Sequence, residues 1–286
     1  ALVSTRDHGV VDKNFPSNDF NHMIAYVPLR NDTLWLDCTS EYNTPENIPD
    51  MDEDAGALII FDDRVQLTKI PVSSPERNQT LFKANIVIDE EGTAKVSGKY
   101  IATGDDDINL KEIFLSKDDE ERRKTIINWL IEFSPDLTLE SLSFANLENI
   151  HASTVIEFDC TARHYAELTR NRLFFNPNFF HRVIFKSEKP SERKSAVYYS
   201  YPFVCNDTIT FVVPEKFLPE SVRDTVSLCQ SFGSFETKAV FSGGQVVYAR
   251  KRSINQKKID FSDYGAYYDF MEKIEKLDAA KMVFRK

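Results

Sequence analysis

No stretch of this 286-residue chain approaches the roughly 18–20 apolar residues that span a bilayer, and no signal sequence is present. There is no CxxC, no HExxH and no EF-hand loop, so spacing points to no metal and no cofactor. Gly-rich phosphate loops are missing as well. Ser242-Gly-Gly-Gln245 has instead the form of a hairpin turn between residues 238–241 and 246–249. A net charge of −10 argues against a general nucleic-acid surface, which needs clustered Lys and Arg. The one basic run, Arg250-Lys-Arg252 with Lys257-Lys258, fits a solvated strand end or loop. Four cysteines without short paired spacing neither demand a disulfide nor exclude one, and Cys205 with Cys229 is the pair to inspect.

What is present is ordinary for a globular protein: 42% hydrophobic and 28% charged residues, in a chain long enough for two domains. Twenty-two Phe and eleven Tyr among Val/Ile/Thr runs favour strands. The expected class is α+β, predominantly antiparallel β. Organisation changes near residue 72, which suggests one unit over 1–71, a linker over 72–79 and a second unit over 80–286.

The most informative feature is a pair, His22 and Asp37, fifteen residues apart. Residues 24–27 and 33–36 read as the strands of a hairpin around a Pro and Asn/Asp turn. Side chains alternate faces along a strand, so a four-residue loop over 28–31 would set His22 directly opposite Asp37. A carboxylate on one ring nitrogen fixes the tautomer and leaves the other as a base. The competing reading is a structural His and an Asp that caps a turn. A second hairpin, 57–61 with 64–70, follows an acidic loop over 41–54. That loop reads as a surface segment or as a wall of a substrate cleft.

The segment from Phe20 to Thr39 resembles the transglutaminase-like, papain-related Cys-His-Asp superfamily. In it a His opens one strand and Trp-x-Asp-x-Thr closes the next, here Trp35, Asp37 and Thr39. Phe15-Pro-Ser-Asn-Asp-Phe-Asn-His22 through Ser40 is similar to large bacterial multidomain proteins, in which a β-rich domain of unknown function follows the catalytic core. The resemblance implies a β half of a transglutaminase-like domain over 1–71, with His22 as base, Asp37 as its orienting acid and Trp35 as a supporting side chain. It also implies an exported, periplasmic or envelope-attached protein acting on peptide or isopeptide bonds.

The family's nucleophilic Cys stands upstream of its His, and none of the twenty-one residues before His22 is Cys. The chain therefore reads as a fragment that depends on a missing N-terminal part and should not turn over substrate alone. Cys38 points away from Asp37's face. Cys160 shares the apolar parity of Ile156 and Phe158, Cys205 follows a strand end, and Cys229 would need a permuted chain order. A buried free Cys is ordinarily a small hydrophobe. The rival expectation is a non-catalytic, envelope-associated binding or assembly module.

The second unit is expected to be β-sandwich-like with a helical insertion near 108–133 and a closing helix over 262–280. Phe82, Ala84, Ile86 and Ile88 alternate strictly in a hairpin with 93–103. A short helix is expected over 110–115. Ser116 followed by Asp119 resembles a capping box for the next helix, whose stripe is Ile126, Ile127, Trp129, Leu130 and Phe133. Strands are expected over 153–166, 182–186, 196–204, 208–213, 235–241 and 245–252. Residues 173–180 read as an aromatic loop, either a binding surface or core under a loop. Ser262 is the expected cap of the closing helix, and 281–284 a last strand.

Overall fold

The computed structural model describes residues 1–9, 11–12, 14, 18–132, 134–222 and 225–286. Phe15, Pro16 and Ser17 of the family-like segment, Phe133 of the helical stripe, and Arg223 and Asp224 ahead of Cys229 lie outside the described residues.

The first seventy residues form β1 (Leu2–Ser4), β2 (His22–Met23), β3 (Ala25–Pro28), β4 (Thr33–Leu36), β5 (Gly56–Ile60) and β6 (Val65–Lys69). Four of them make a sheet in the order β2-β1-β5-β6, and β3 pairs with β4 as a separate hairpin. Alternation in β5 turns Ala57 and Ile59 inward, where they join Val3, Ile24, Trp35 and Ile70 in a small core. The β3–β4 loop is 29–32, one residue later than the turn punctuation suggests. Pro28 still pairs with Thr33, and the Leu29 N–H closes the turn on the Asp32 carbonyl at 2.9 Å. The hairpin ladder therefore ends at Ala25 and Leu36. His22 lies in β2, opposite Val3 of β1, and not directly across a ladder from Asp37.

The remaining strands are β7 (Gln79–Ile88), β8 (Ala94–Ala102), β9 (Leu137–Ala145), β10 (Val155–Ala162), β11 (Glu167–Thr169), β12 (Arg172–Phe175), β13 (Val197–Tyr198), β14 (Phe203–Val212), β15 (Leu218–Ser221), β16 (Val226–Gln230), β17 (Gly233–Ser242), β18 (Gln245–Ile254), β19 (Lys258–Ile259) and β20 (Met282–Arg285). Helices α1 (Asp105–Leu115) and α2 (Asp119–Ile131) follow β8, and α3 (Tyr264–Ala279) precedes β20. An eight-stranded sheet runs β16-β17-β18-β14-β7-β8-β10-β9, antiparallel except where β7 and β14 run parallel. A second sheet, β11-β12-β20-β15, lies against it.

Period-two alternation makes one face of the large sheet apolar. Phe82, Ile86, Phe158, Phe211 and Tyr248 point inward, while Lys83, Asn85, Lys99 and Glu157 point to solvent. Phe175 of β12 meets Phe211 at 4.9 Å between ring centroids, and Phe284 of β20 meets Phe241 at 5.8 Å, which joins the two sheets. At one end Phe114 of α1 packs on Trp129 and Phe144. At the other, Tyr267, Phe270 and Ile274 of α3 close over Phe232, Phe235 and Ile254. The class is α+β, dominated by antiparallel strands, with a C-terminal helix.

Several local expectations shift. The helix expected over 110–115 begins earlier, at Asp105. The capping box of α2 is Asp118 with Glu121, two residues past Ser116. Ser262 does not cap α3, because a 3-10 turn (Phe261–Asp263) leads directly into it. Residues 182–186 form no strand. The Val183 and Phe185 N–H groups donate instead to the side chains of Asp278 (2.9 Å) and Glu275 (2.8 Å) on α3. Pro202 separates the two-residue β13 from β14 in the span 196–204. Part of the aromatic loop is strand β12, and Leu173, Phe175 and Phe179 sit in the main core. Arg250 and Lys257, read as solvated, are both buried. All four cysteines are free thiols. Two strands, β17 and β18, stand between Cys205 and Cys229. Three inter-strand spacings of about 4.8 Å put that pair beyond disulfide reach.

Candidate functional site

Strand β1 holds His22 in place. Val3 pairs with His22, the Asn21 N–H donates to the Val3 carbonyl, and the Ile24 N–H donates to that of Ala1, both at 3.0 Å. Asn21 also bonds through its amide to the Thr5 N–H and hydroxyl at 2.9 and 2.8 Å. Asp37 leaves the end of β4, where its Oδ1 accepts from the Thr39 N–H at 2.9 Å and the Thr39 hydroxyl at 2.8 Å. That clamp aims Oδ2 at His22 Nε2, 3.0 Å away. Burial alone would raise the Asp37 carboxyl. The two Thr39 donors and His22 outweigh it and hold the group below the usual carboxylate range. Against an ionised Asp37, Nε2 carries the proton and Nδ1 is the basic nitrogen. Among the described residues no hydrogen bond reaches Nδ1. Trp35, two residues before Asp37 on the same strand face, is buried edge-on to Tyr26.

A second acid joins them. The loop over 41–54 folds back on the dyad, and Asp52 brings Oδ2 to 3.9 Å from His22 Nε2. A tight turn and two bonds to distant segments place it: the Asp52 N–H bonds to the Pro49 carbonyl, the Arg6 N–H to that of Met51, and the Asp54 N–H to that of Ile70. Asp52 is fully buried, and as a carboxylate it receives no hydrogen bond at either oxygen among the described residues. Burial pushes its carboxyl up to about 7; His22 opposes the rise and Asp37 adds to it. The sequence hides this residue, because six acids in a loop without apolar period look alike until the chain is folded. Donor atoms of His22, Asp37 and Asp52 all lie within 4.8 Å of one another, the one such cluster among the described residues.

Lys257 pins this loop from the C-terminal half. Its ammonium donates to the carbonyls of Glu53, at 3.0 Å, and Asp50, and lies 3.7 Å from the Glu53 carboxylate. Burial pulls the Lys257 ammonium down from its ordinary value. Beside it lies a cleft of about 1000 Å³ lined by Arg6, Asp54, Leu67, Lys69, Tyr198 and Lys258, among others. His22, Asp37 and Asp52 do not line that cleft, although Glu53, next to Asp52, does.

The cysteines take other places. Cys38 is exposed next to Asp37, Cys160 is buried and its thiol pushed up to about 12 by burial, Cys205 is buried and Cys229 exposed. A second His–Asp contact lies far along the chain, His181 Nδ1 to Asp207 Oδ1 at 2.5 Å. It belongs to a buried network with Arg250 and Asp278, which ties β14 and β18 to α3.

Residues 171–284 match the family model DUF3858, a domain of unknown function with a solved structure. No curated protein matches. Among solved structures, the chain is similar to a candidate protease from Parabacteroides distasonis at 11% identity and a TM-score of 0.37, over 42% of this chain and 24% of that one. The chain thus spans about a quarter of that protein's length.

Proposed function

We propose that His22 and Asp37 are the base and orienting acid of a cysteine-dependent acyl transfer or amide hydrolysis on peptide or isopeptide bonds, with the thiol supplied by chain preceding Ala1. The observation that carries this reading is the contact between His22 Nε2 and Asp37 Oδ2, with the other Asp37 oxygen clamped by Thr39. It directs the basic Nδ1 away from the acid. In this reading Nδ1 takes the thiol proton, and the thiolate adds to the scissile carbonyl carbon. The resulting imidazolium returns that proton to the departing amine as the tetrahedral adduct collapses to a thioester. Water or an acceptor amine then breaks the thioester. Asp37 holds the ring and balances its charge, and Trp35 shields the pair from below. The transglutaminase-like ancestry and an envelope or periplasmic location belong to the same proposal.

The test uses a protein in which a thiol-bearing segment precedes this sequence, as the proposal requires. Its labelling by iodoacetamide near neutral pH should be fast, and His22→Ala should slow it by at least about tenfold. Equal rates in the two proteins would remove the dyad from the chemistry.

A second reading, a non-catalytic envelope-associated binding or assembly module, draws on the large sheet. Its outer face carries Lys83, Asn85, Lys99 and Glu157 and has no helix or strand packed over it among the described residues. Retention of the chain alone on glycan or envelope protein would favour that reading.

A further inference from the structure

We propose that His22, Asp37 and Asp52 form a binding site for a divalent transition-metal ion, with zinc the ion whose chemistry fits best. The donor set is one imidazole nitrogen and two carboxylates drawn from β2, the end of β4 and the 41–54 loop. In a tetrahedral zinc shell with bonds near 2.0–2.1 Å, neighbouring donors stand about 3.3 Å apart. His22 Nε2 lies 3.0 Å from Asp37 Oδ2 and 3.9 Å from Asp52 Oδ2, and all three donors lie within 4.8 Å of one another, so an inward shift of the two carboxylates would bring all three onto one ion.

Two further observations point to a ligand. Asp52 is wholly buried, brings Oδ2 to 3.9 Å from His22 Nε2 and, as a carboxylate, receives no hydrogen bond at either oxygen among the described residues. An isolated buried carboxylate is costly unless something neutralises it. Asp37, for its part, has Oδ1 committed to both Thr39 donors and Oδ2 turned toward the cluster. Outer hydrogen bonds of that kind orient a monodentate carboxylate ligand. A dication also balances two carboxylates and a neutral imidazole, leaving the buried cluster without net charge. Imidazole with carboxylate suits zinc better than calcium or magnesium, which prefer all-oxygen shells.

Binding itself does not rest on the proposed acyl-transfer chemistry, but its consequence does. Coordination through Nε2 leaves the imidazole proton on Nδ1, which then cannot accept one from a thiol. Metal loading and base chemistry would exclude each other at this side chain.

The experiment is titration of the chelator-treated chain with zinc chloride by calorimetry, and with cobalt(II) by absorption spectroscopy. One ion per chain is expected. Asp52→Asn and His22→Gln should each weaken zinc by at least about tenfold. Cys38→Ser, which replaces the exposed thiol beside the site, should change nothing. The melting temperature of each metal-free variant shows whether it folds; should Asp52→Asn not fold, the partly exposed His22 supplies the deciding variant. Absence of stoichiometric binding, affinity unchanged in the folded Asp52→Asn or His22→Gln variant, or a thiolate-to-cobalt band lost in Cys38→Ser would each overturn the site. None of these readouts involves thiol reactivity, so the acyl-transfer proposal stands or falls separately.

Discussion

Arg250 grips both carboxylate oxygens of Asp278, Nε at 2.9 Å and Nη2 at 2.8 Å, in a pair whose side chains are sealed from solvent. Asp278 Oδ2 also accepts the Val183 N–H, and Arg250 Nη1 reaches Asp207 at 3.3 Å. Removing one member strands the other's charge. Asp278→Ala should cost about 3–5 kcal/mol, read as a lower urea midpoint. Replacing Arg250 and Asp278 together with apolar residues of similar volume should cost less than the sum of the two single changes, although Asp207 then keeps only His181 and the Val183 N–H loses its acceptor. If the two single losses simply add in the double variant, the charge is not what matters.

Asp105 opens α1 in a crowded acidic corner. Burial pushes its carboxyl up to about 7, with Glu53, Asp50 and Asp106 adding to the rise. The folded chain keeps a proton that the unfolded chain loses near its ordinary value. The stabilisation this gives is complete below about pH 4 and lost as pH rises through about 7. Asp105→Asn should flatten that decline and raise stability near pH 8 by at least about 1 kcal/mol. Thermal melts of both proteins across this window decide it; parallel curves would count against the assignment.

Lys257 donates to the Asp50 and Glu53 carbonyls and so fixes the loop that carries Asp52. In Lys257→Ala those carbonyls lose their donor, and the Glu53 carboxylate keeps only the Ser73 N–H. Limited proteolysis should then cut within 41–54 faster than in the parent, while the β7–β8 hairpin stays protected. Unchanged cleavage would mean the loop is held by its own turns.

Gly98 of β8 lies beneath the Phe158 ring of β10, its cross-strand partner. A Cβ there would come within 2.4 Å of that ring. Gly98→Ala should therefore destabilise by about 1–3 kcal/mol through overpacking, measured by chemical denaturation. A neutral result would show that the ring has room to move.

The readable parts of the fold are those where alternation runs unbroken, as in Phe82, Ala84, Ile86 and Ile88 of β7. Strand β9 stayed hidden for a physical reason. Its inward residues are Leu137 and Leu139, then Leu142 and Phe144, and a bulge opposite Asp159 and Cys160 resets the parity between them. Residues 182–186 look like a strand because they are apolar, yet their N–H groups are taken by helix carboxylates rather than by a neighbouring strand. At the site, His22 and Asp37 were legible because Trp-x-Asp-x-Thr marks the second of them. Asp52 was not, since only the turns around Pro49 and the hold of Lys257 distinguish it from the other acids of its loop.

The parallel pairing of β7 with β14 joins Gln79 to Val204, roughly 125 residues apart along the chain. Every other pairing in the large sheet is antiparallel. β7 with β8 and β17 with β18 can form early as local hairpins, but the seam between the halves closes only after a long loop has lost its freedom. During synthesis β7 therefore waits as an open edge until β14 has left the ribosome. The protein's vulnerability to aggregation is then a matter of time, set in the middle of its own sheet rather than at its rim.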